Sequence, residues 1–425
     1  MSFAAAAAQP MASGAAPAAL PSRWLIAAAA FCMQLALGSV YAWSVLLDPL
    51  AGLHSATRGE VGLTFSVTLA VVGITAGFGG SLHNRFGPRT VATAAGLLYG
   101  SGVLLSGFAP NVVALCLAYG VLGGAGLGLG YIVPLAMLIR WFPDRRGCIT
   151  GVAVAGFGLG ALLTGPAAAW ATAAAGVQWA LVGLGAAYLA LVTTAAQFFR
   201  AAPDGYAPPG WTPQTRAARD HSLAEALRSP RWWLLWSILA LNVTAGAALL
   251  SVAAPLVREF ALVDAATAAL FVGALSVCNV IGRVLWGAVS DAAGRPPALL
   301  AMFALQALAF ASLAGADDYG AVLVPAAVIA ACFGGGFAVM PAFAADVFGA
   351  RNAGTVYGAM LTAWSAGAIA GPVLIATVPY REALLLIAAG AAASAALPLL
   401  AWTTAGRGEE APPRWPTASS TTART

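Results

Sequence analysis

Gly80-Ser-Leu-His-Asn-Arg-Phe-Gly-Pro-Arg89 and Gly287-Ala-Val-Ser-Asp-Ala-Ala-Gly-Arg-Pro296 decide the fold of this chain. Each stretch joins two long apolar runs, and each carries two glycines at the same spacing, Gly80 with Gly87 and Gly287 with Gly294. The first glycine of each pair lets two helices approach closely, and the second permits a tight turn. Asn84, Arg85 and Arg89 in one copy, and Asp291 and Arg295 in the other, are placed to tie helix ends together. A generic arginine-bearing loop accounts for one such stretch but not for two in register.

The register extends outward at an offset of 206–207 residues. Pro49 pairs with Pro255, Gly128 with Gly335, Pro134 with Pro341, Gly151 with Gly358, Gly160 with Gly367, and Gly165-Pro166 with Gly371-Pro372. Gly158 breaks the pattern and falls opposite Ser365. With 49 glycines a few coincidences are expected, but a near-constant offset over separate regions is not. Internal two-fold repeats of this kind mark many secondary transporters.

Composition sets the solvent. The 425 residues are 60% hydrophobic and 8% charged, where a soluble domain carries about 25% charged residues. A bilayer crossing needs roughly 20 apolar residues. Twelve such runs are expected, over 24–47, 61–80, 90–108, 112–139, 147–174, 177–199, 231–256, 266–289, 297–314, 319–344, 353–378 and 383–403. Their high Gly and Ala content suits helices that pack closely in lipid. The net charge of +5 does not point to nucleic acid, because the arginines lie between apolar runs rather than on one polar face. An odd cysteine number, five, excludes a disulfide scaffold.

All the basic residues are arginine; lysine is absent. Arg23, Arg85, Arg89, Arg140, Arg145, Arg146, Arg200, Arg216, Arg219, Arg228, Arg231, Arg295, Arg351, Arg407, Arg414 and Arg424 fall on one side of the expected membrane, and Arg58, Arg258 and Arg381 on the other. The positive-inside rule then places both termini in the cytoplasm. The expected organisation is a disordered tail over 1–22, a six-helix bundle over 23–199, a cytoplasmic linker over 200–229, a second bundle over 230–403 and a disordered tail over 404–425. Within the linker, Ser222-Leu-Ala-Glu225 reads as a capping box that starts a short amphipathic helix ending before Pro230.

The two opening stretches resemble the G-x-x-x-D-R-x-G-R-R/K loop motif of the major facilitator superfamily, with Asn84 in the first copy where the family has Asp. That resemblance, with the span count and the repeat, implies an all-α membrane protein. It has twelve transmembrane helices in two pseudo-symmetric six-helix bundles. A narrower likeness follows. Gly38-Ser-Val-Tyr-Ala-Trp-Ser-Val45 resembles a signature of the oxalate/formate antiporter family, a relative of the monocarboxylate transporters. Trp141-Phe-Pro-Asp-Arg-Arg-Gly147, the segment 222–233, Asn279-Val-Ile-Gly-Arg283, Tyr357-Gly358 and Ala363-Trp-Ser-Ala-Gly367 fit the same family.

Arg283 alone among the arginines lies inside an apolar run, eight positions before Asp291. At 1.5 Å per residue that is about 12 Å into the membrane. A cation there costs several kcal/mol unless it faces a cavity or a partner, so it marks a functional site. Its guanidinium can grip a carboxylate through two parallel hydrogen bonds; the competing reading is an arginine that snorkels to the interface. In the resembled families the matching arginine binds the substrate carboxylate. Asn279, four residues earlier on the same face, is placed to orient Arg283 or to donate to substrate. Where monocarboxylate transporters often carry a titratable Asp, this chain has that Asn. Tyr41, Tyr131, Phe333, Phe337 and Trp364 are expected around a central cavity, with Gln34 a weaker candidate on the face of Tyr41. Members that carry oxalate hold a lysine near the position of Trp364; one cation here balances one negative charge.

The expected function is therefore secondary transport of a small organic anion by alternating access in an inner (plasma) membrane. A monocarboxylate such as formate, lactate or pyruvate is expected over oxalate. Gly80, Asn84, Arg85, Gly87, Arg89, Gly287, Asp291, Gly294 and Arg295 are expected to form the conformational switch. Proton-driven export of amphipathic compounds, and a non-transporting sensor, are the alternatives. No enzymatic constellation is visible: His54, His83 and His221 read as loop residues. No metal or cofactor is expected, and the chain is expected to work as a monomer in the lipid bilayer without nucleic acid.

Overall fold

A computed structural model describes residues 21–211 and 219–403. Both expected tails, apart from 21 and 22, lie outside the described residues, as do Arg216, Arg407, Arg414 and Arg424. Every element is helical. The spans are α1 (Arg23–His54), α2 (Arg58–Phe86), α3 (Pro88–Ser106), α4 (Val112–Trp141), α5 (Arg146–Ala175), α6 (Val177–Ala196), α7 (Pro230–Ala261), α8 (Ala265–Ala293), α9 (Arg295–Ala314) and α10 (Tyr319–Phe348). Two broken spans complete the set: α11 (Ala353–Met360, then Thr362–Thr377) and α12 (Tyr380–Ser394, then Leu397–Thr403). Eleven described helices are long and apolar enough to cross a membrane. The remaining expected span is α3, only 19 residues long and diluted by Arg89, Tyr99, Ser101 and three glycines. It packs along α6 and α4 as the third helix of its bundle.

Local chemistry explains where the helices start. Thr57 and Glu60 form a capping box at the head of α2. Asp264 and Asp318 cap α8 and α10 by accepting from the backbone N–H three residues on. Gly87 and Gly294, the second glycines of the two motif copies, sit at φ 81° and 91°, where an L side chain is strained. Each ends one span and starts the next within a single residue. The linker helix Leu223–Arg228 carries the expected capping box, Glu225 accepting from the Ser222 backbone N–H at 2.7 Å. Its approach is stitched to the α10–α11 loop: the His221 N–H donates to the Phe348 carbonyl and the Asn352 amide donates to the His221 carbonyl.

Several expected boundaries move. α2 runs on to Phe86, so His83, Asn84 and Arg85 belong to its last turn, and His83 is buried. His54 ends the helical part of α1. Of the three histidines only His221 lies in a loop. α1 tightens into a 3-10 turn over Gly38–Ala42, and α4 widens into a π-helical stretch over Cys116–Gly123.

The two bundles, α1–α6 and α7–α12, meet along α5 against α8 and α2 against α11. Without a hydrophobic drive between helices in lipid, small residues supply close contact. A side chain at Gly151 would strike the carbonyl of Arg283, and one at its repeat mate Gly358 would strike the carbonyl of Ala76. Nearer the loops, Gly287 abuts Gly147 while its mate Gly80 abuts Gly354 and Thr355. The repeat read from sequence is thus a two-fold pattern of backbone contacts.

Candidate functional site

The hydrogen bonds that cross between the bundles among the described residues all lie between the arginine-rich loops and Arg283. At the loop end, α5 starts with no capping side chain of its own. Its first N–H groups are capped from the other bundle. Asp291 accepts from the backbone of Gly147 at 2.8 Å and Cys148 at 2.7 Å, one with each carboxylate oxygen. Helix N-termini favour a negative charge at that place. Arg295 donates to Asp291 at 2.6 Å and to Asp346 at 3.0 Å, and Asp346 also accepts from Arg146 across the interface at 2.7 Å. The first motif copy builds no such network. Asn84 donates only to Asn352 at 3.2 Å, Arg85 lies over the ring of Phe86, and Arg89 donates to Gln197 within its own bundle. Asn carries no charge to cap α11 or to attract an arginine. Further in, the hydroxyl of Thr150 donates to the Ala338 carbonyl at 2.7 Å.

Arg283 comes next and is 4% exposed. Its Nε donates to Asn279 Oδ1 at 3.1 Å, and one terminal nitrogen donates to the Val154 carbonyl of α5 at 2.5 Å. Asn279 in turn donates its amide to the Ala330 carbonyl at 3.0 Å. Asn279 therefore orients the arginine and is itself held by α10. A guanidinium has five N–H donors, so the two bonds leave most of its donor capacity for another group. Among the described residues no carboxylate pairs with it. Gly158 faces the guanidinium carbon, where a side chain would stand 3.8 Å away.

Aromatic rings gather beside the cation. The guanidinium lies 5.7 Å from the Phe337 ring centre, within cation–π range. Phe337 meets Trp364 at 5.5 Å, and Trp364 meets Tyr131 at 6.1 Å and Tyr41 at 6.3 Å. Tyr41, Tyr131 and Tyr357 are the tyrosines that lie near Arg283. Tyr357 is buried, with its hydroxyl beside that of Tyr131. Tyr41 differs from the other rings in being 36% exposed. The arrangement offers one fixed cation, tyrosine hydroxyls and apolar ring faces.

The sequence-derived residues sort as follows. Arg283, Asn279, Tyr41, Tyr131, Phe337 and Trp364 come together. Phe333 touches Phe337 at 5.5 Å but packs on α7 at Gly246, one ring removed from the cation. Gln34 is buried and spends its amide on the Tyr131 carbonyl. Two residues escaped the sequence reading. Phe157 of α5 contacts Tyr131 at 5.3 Å, Tyr41 at 5.5 Å and Trp364 at 6.5 Å. The signal was present: the offset that pairs Gly151 with Gly358 pairs Phe157 with Trp364. Tyr357 was visible only as part of a motif.

Comparison with known proteins identifies the family and the fold. The family described as Major Facilitator Superfamily matches residues 3–372 and 238–423. The chain is 30% identical to the uncharacterized MFS-type transporter YhjX of Escherichia coli (strain K12), over 82% of this chain and 86% of that protein. It is 28% identical to the oxalate:formate antiporter of Oxalobacter formigenes, over 87% and 89%. The solved structure of FucP, a transporter of the same superfamily in the outward conformation, superposes with a TM-score of 0.69 over 90% of this chain and 99% of that one, at 16% identity.

Proposed function

Because the chain belongs to the Major Facilitator Superfamily and is a multi-pass membrane transporter, we propose that its cargo is a small monocarboxylate carried by alternating access. The observation that carries this reading is Arg283: a cation buried between the bundles, oriented by Asn279, with donors to spare and no carboxylate paired with it among the described residues. A substrate carboxylate supplies the missing partner through charge-assisted hydrogen bonds, while Tyr131, Phe157, Phe337 and Trp364 cover the rest of a short molecule. The similarity to an oxalate:formate antiporter supports a carboxylate. The aromatic ring of Trp364 where a second cation would serve a dianion favours formate, lactate or pyruvate over oxalate. Binding neutralises the buried charge and eases the rocking of one bundle against the other. Asp291, Arg295 and the glycines Gly80, Gly87, Gly287 and Gly294 act as the latch that closes the arginine-rich side, with Asn84, Arg85 and Arg89 its weaker counterpart. We place that side in the cytoplasm of an inner membrane. One chain contains the whole site, so a monomer suffices. The test is uptake of labelled formate, lactate, pyruvate and oxalate into proteoliposomes, with and without a pH gradient and with counter-anion inside. Saturable uptake of a monocarboxylate supports the reading; uptake of oxalate alone sinks it.

A further inference from the structure

The 3-10 turn of α1 is not a general feature of the fold. α7, which occupies the matching place in the second bundle, runs as uninterrupted α-helix from Pro230 to Ala261. The chemistry at that level differs between the halves. In α1, Ser39 is buried, and its hydroxyl donates to the Ala36 carbonyl at 2.6 Å, three residues back. Such a bond competes with regular helical pairing and bends helices. Ser39 also lies 2.7 Å from the hydroxyl of Tyr99 on α3. A serine has one hydroxyl proton, here used on Ala36, so Tyr99 is the donor. At the offset of the repeat, Ser39 falls opposite Ala245 and Tyr99 opposite Gln306. Gln306 donates instead to the side chain of Asn242 at 3.3 Å.

Tyr99 is a rigid post. Its ring is buried and stacks on Tyr188 at 5.6 Å, and the Tyr188 hydroxyl lies 3.1 Å from that of Thr164. Gly126 of α4 presses on its backbone. On the other side of the turn, Gly38 is pressed against the Phe157 backbone, so a side chain there would collide with the carbonyl. The turn therefore sits between Tyr99 and the ring cluster, and it carries Tyr41, the exposed ring of that cluster. We propose that Tyr99 is a positioning residue for the transport site: through Ser39 its hydroxyl holds the tight turn of α1 and so fixes the place of Tyr41 in the ring cluster beside Arg283.

The proposal rests on the ring cluster around Arg283 being the anion site, and the test separates the two. The first arm needs no substrate. With Tyr41→Cys in the full-length protein, the rate of labelling at position 41 by a water-soluble maleimide is read by peptide mass spectrometry. Adding Tyr99→Phe, or Ser39→Ala from the other side of the same bond, changes that rate at least about threefold while Cys148 labelling stays constant. An unchanged rate in both overturns the proposal. The second arm measures labelled formate, lactate and pyruvate uptake. Tyr99→Phe raises KM about fivefold with kcat little altered, and adding Tyr41→Phe costs less than the product of the single effects. Full multiplicativity also overturns it. If none of the three acids is carried, the reading of that cluster as the anion site fails while the labelling arm still decides the role of Tyr99.

Discussion

Arg283 on α8 donates to the backbone carbonyl of Val154 on α5, 2.5 Å away and in the other bundle. One side chain thus belongs both to the candidate cargo site and to the contact between halves. Any motion that parts α5 from α8 must break this bond, and any anion that engages the guanidinium bears on the same contact.

Arg283→Gln removes the charge and leaves a side chain of similar length. Hydrogen bonds to charged groups contribute about 1.5–3 kcal/mol, so transport efficiency falls about 10- to 100-fold or more while the protein stays helical and monodisperse. Arg283→Lys does not restore it, because an ammonium lacks the planar fork. Normal uptake by folded Arg283→Gln contradicts the site.

Trp364→Lys places a second cation among the rings that Trp364 now joins. Uptake of the monocarboxylate weakens through loss of packing, and oxalate becomes the better competitor. Competition by unlabelled oxalate before and after the change is the readout.

Asp291→Asn withdraws the carboxylate that caps α5 from across the interface. The arginine-rich side opens more often, and alkylation of native Cys148, whose N–H is one of the capped groups, speeds up about tenfold. An unchanged rate means that this contact does not hold the side closed.

Gly151→Val and Gly358→Val each push a side chain into the backbone of the opposing helix, at Arg283 and Ala76 respectively. Both abolish transport without loss of expression, since each obstructs closure rather than the core of either bundle. A pair of unequal phenotypes shows that only one of the two contact rows controls closure.

Glu225 is held below the usual carboxylate range, chiefly by the Ser222 backbone N–H and then by its hydroxyl. A depressed value means that the cap is at full strength above the ordinary glutamate pKa, about 4.3, and is lost as pH falls through the lower folded value. Amide exchange across Leu223–Arg228 accelerates over that acid range.

The place of Arg283 inside a span was legible because lipid penalises any lone charge, whatever the packing. Asn279 was legible by its helical spacing. Phe157 was legible only through the repeat offset that pairs it with Trp364, not from its own helix. α5 is apolar all round, and such a helix gives no amphipathic signal for which face meets its neighbours. The role of Asn84 as the weaker copy was visible as a missing charge; that Asp291 caps α5 was not, because α5 starts 145 residues earlier.

The sequence by itself determined how many times the chain crosses the membrane, that its halves repeat, and that one arginine stays inside. These follow from solvent alone: apolar length, small residues and charge placement obey the bilayer before any helix meets another. Only the tertiary structure decided that Arg283 is answered by a carbonyl from the other bundle rather than by an acid. It alone set Phe157 beside Trp364 and tightened α1 at Gly38–Ala42 against Tyr99. Those facts depend on the rotation and approach of helices far apart in the chain, which close packing of glycines fixes and which no local pattern records.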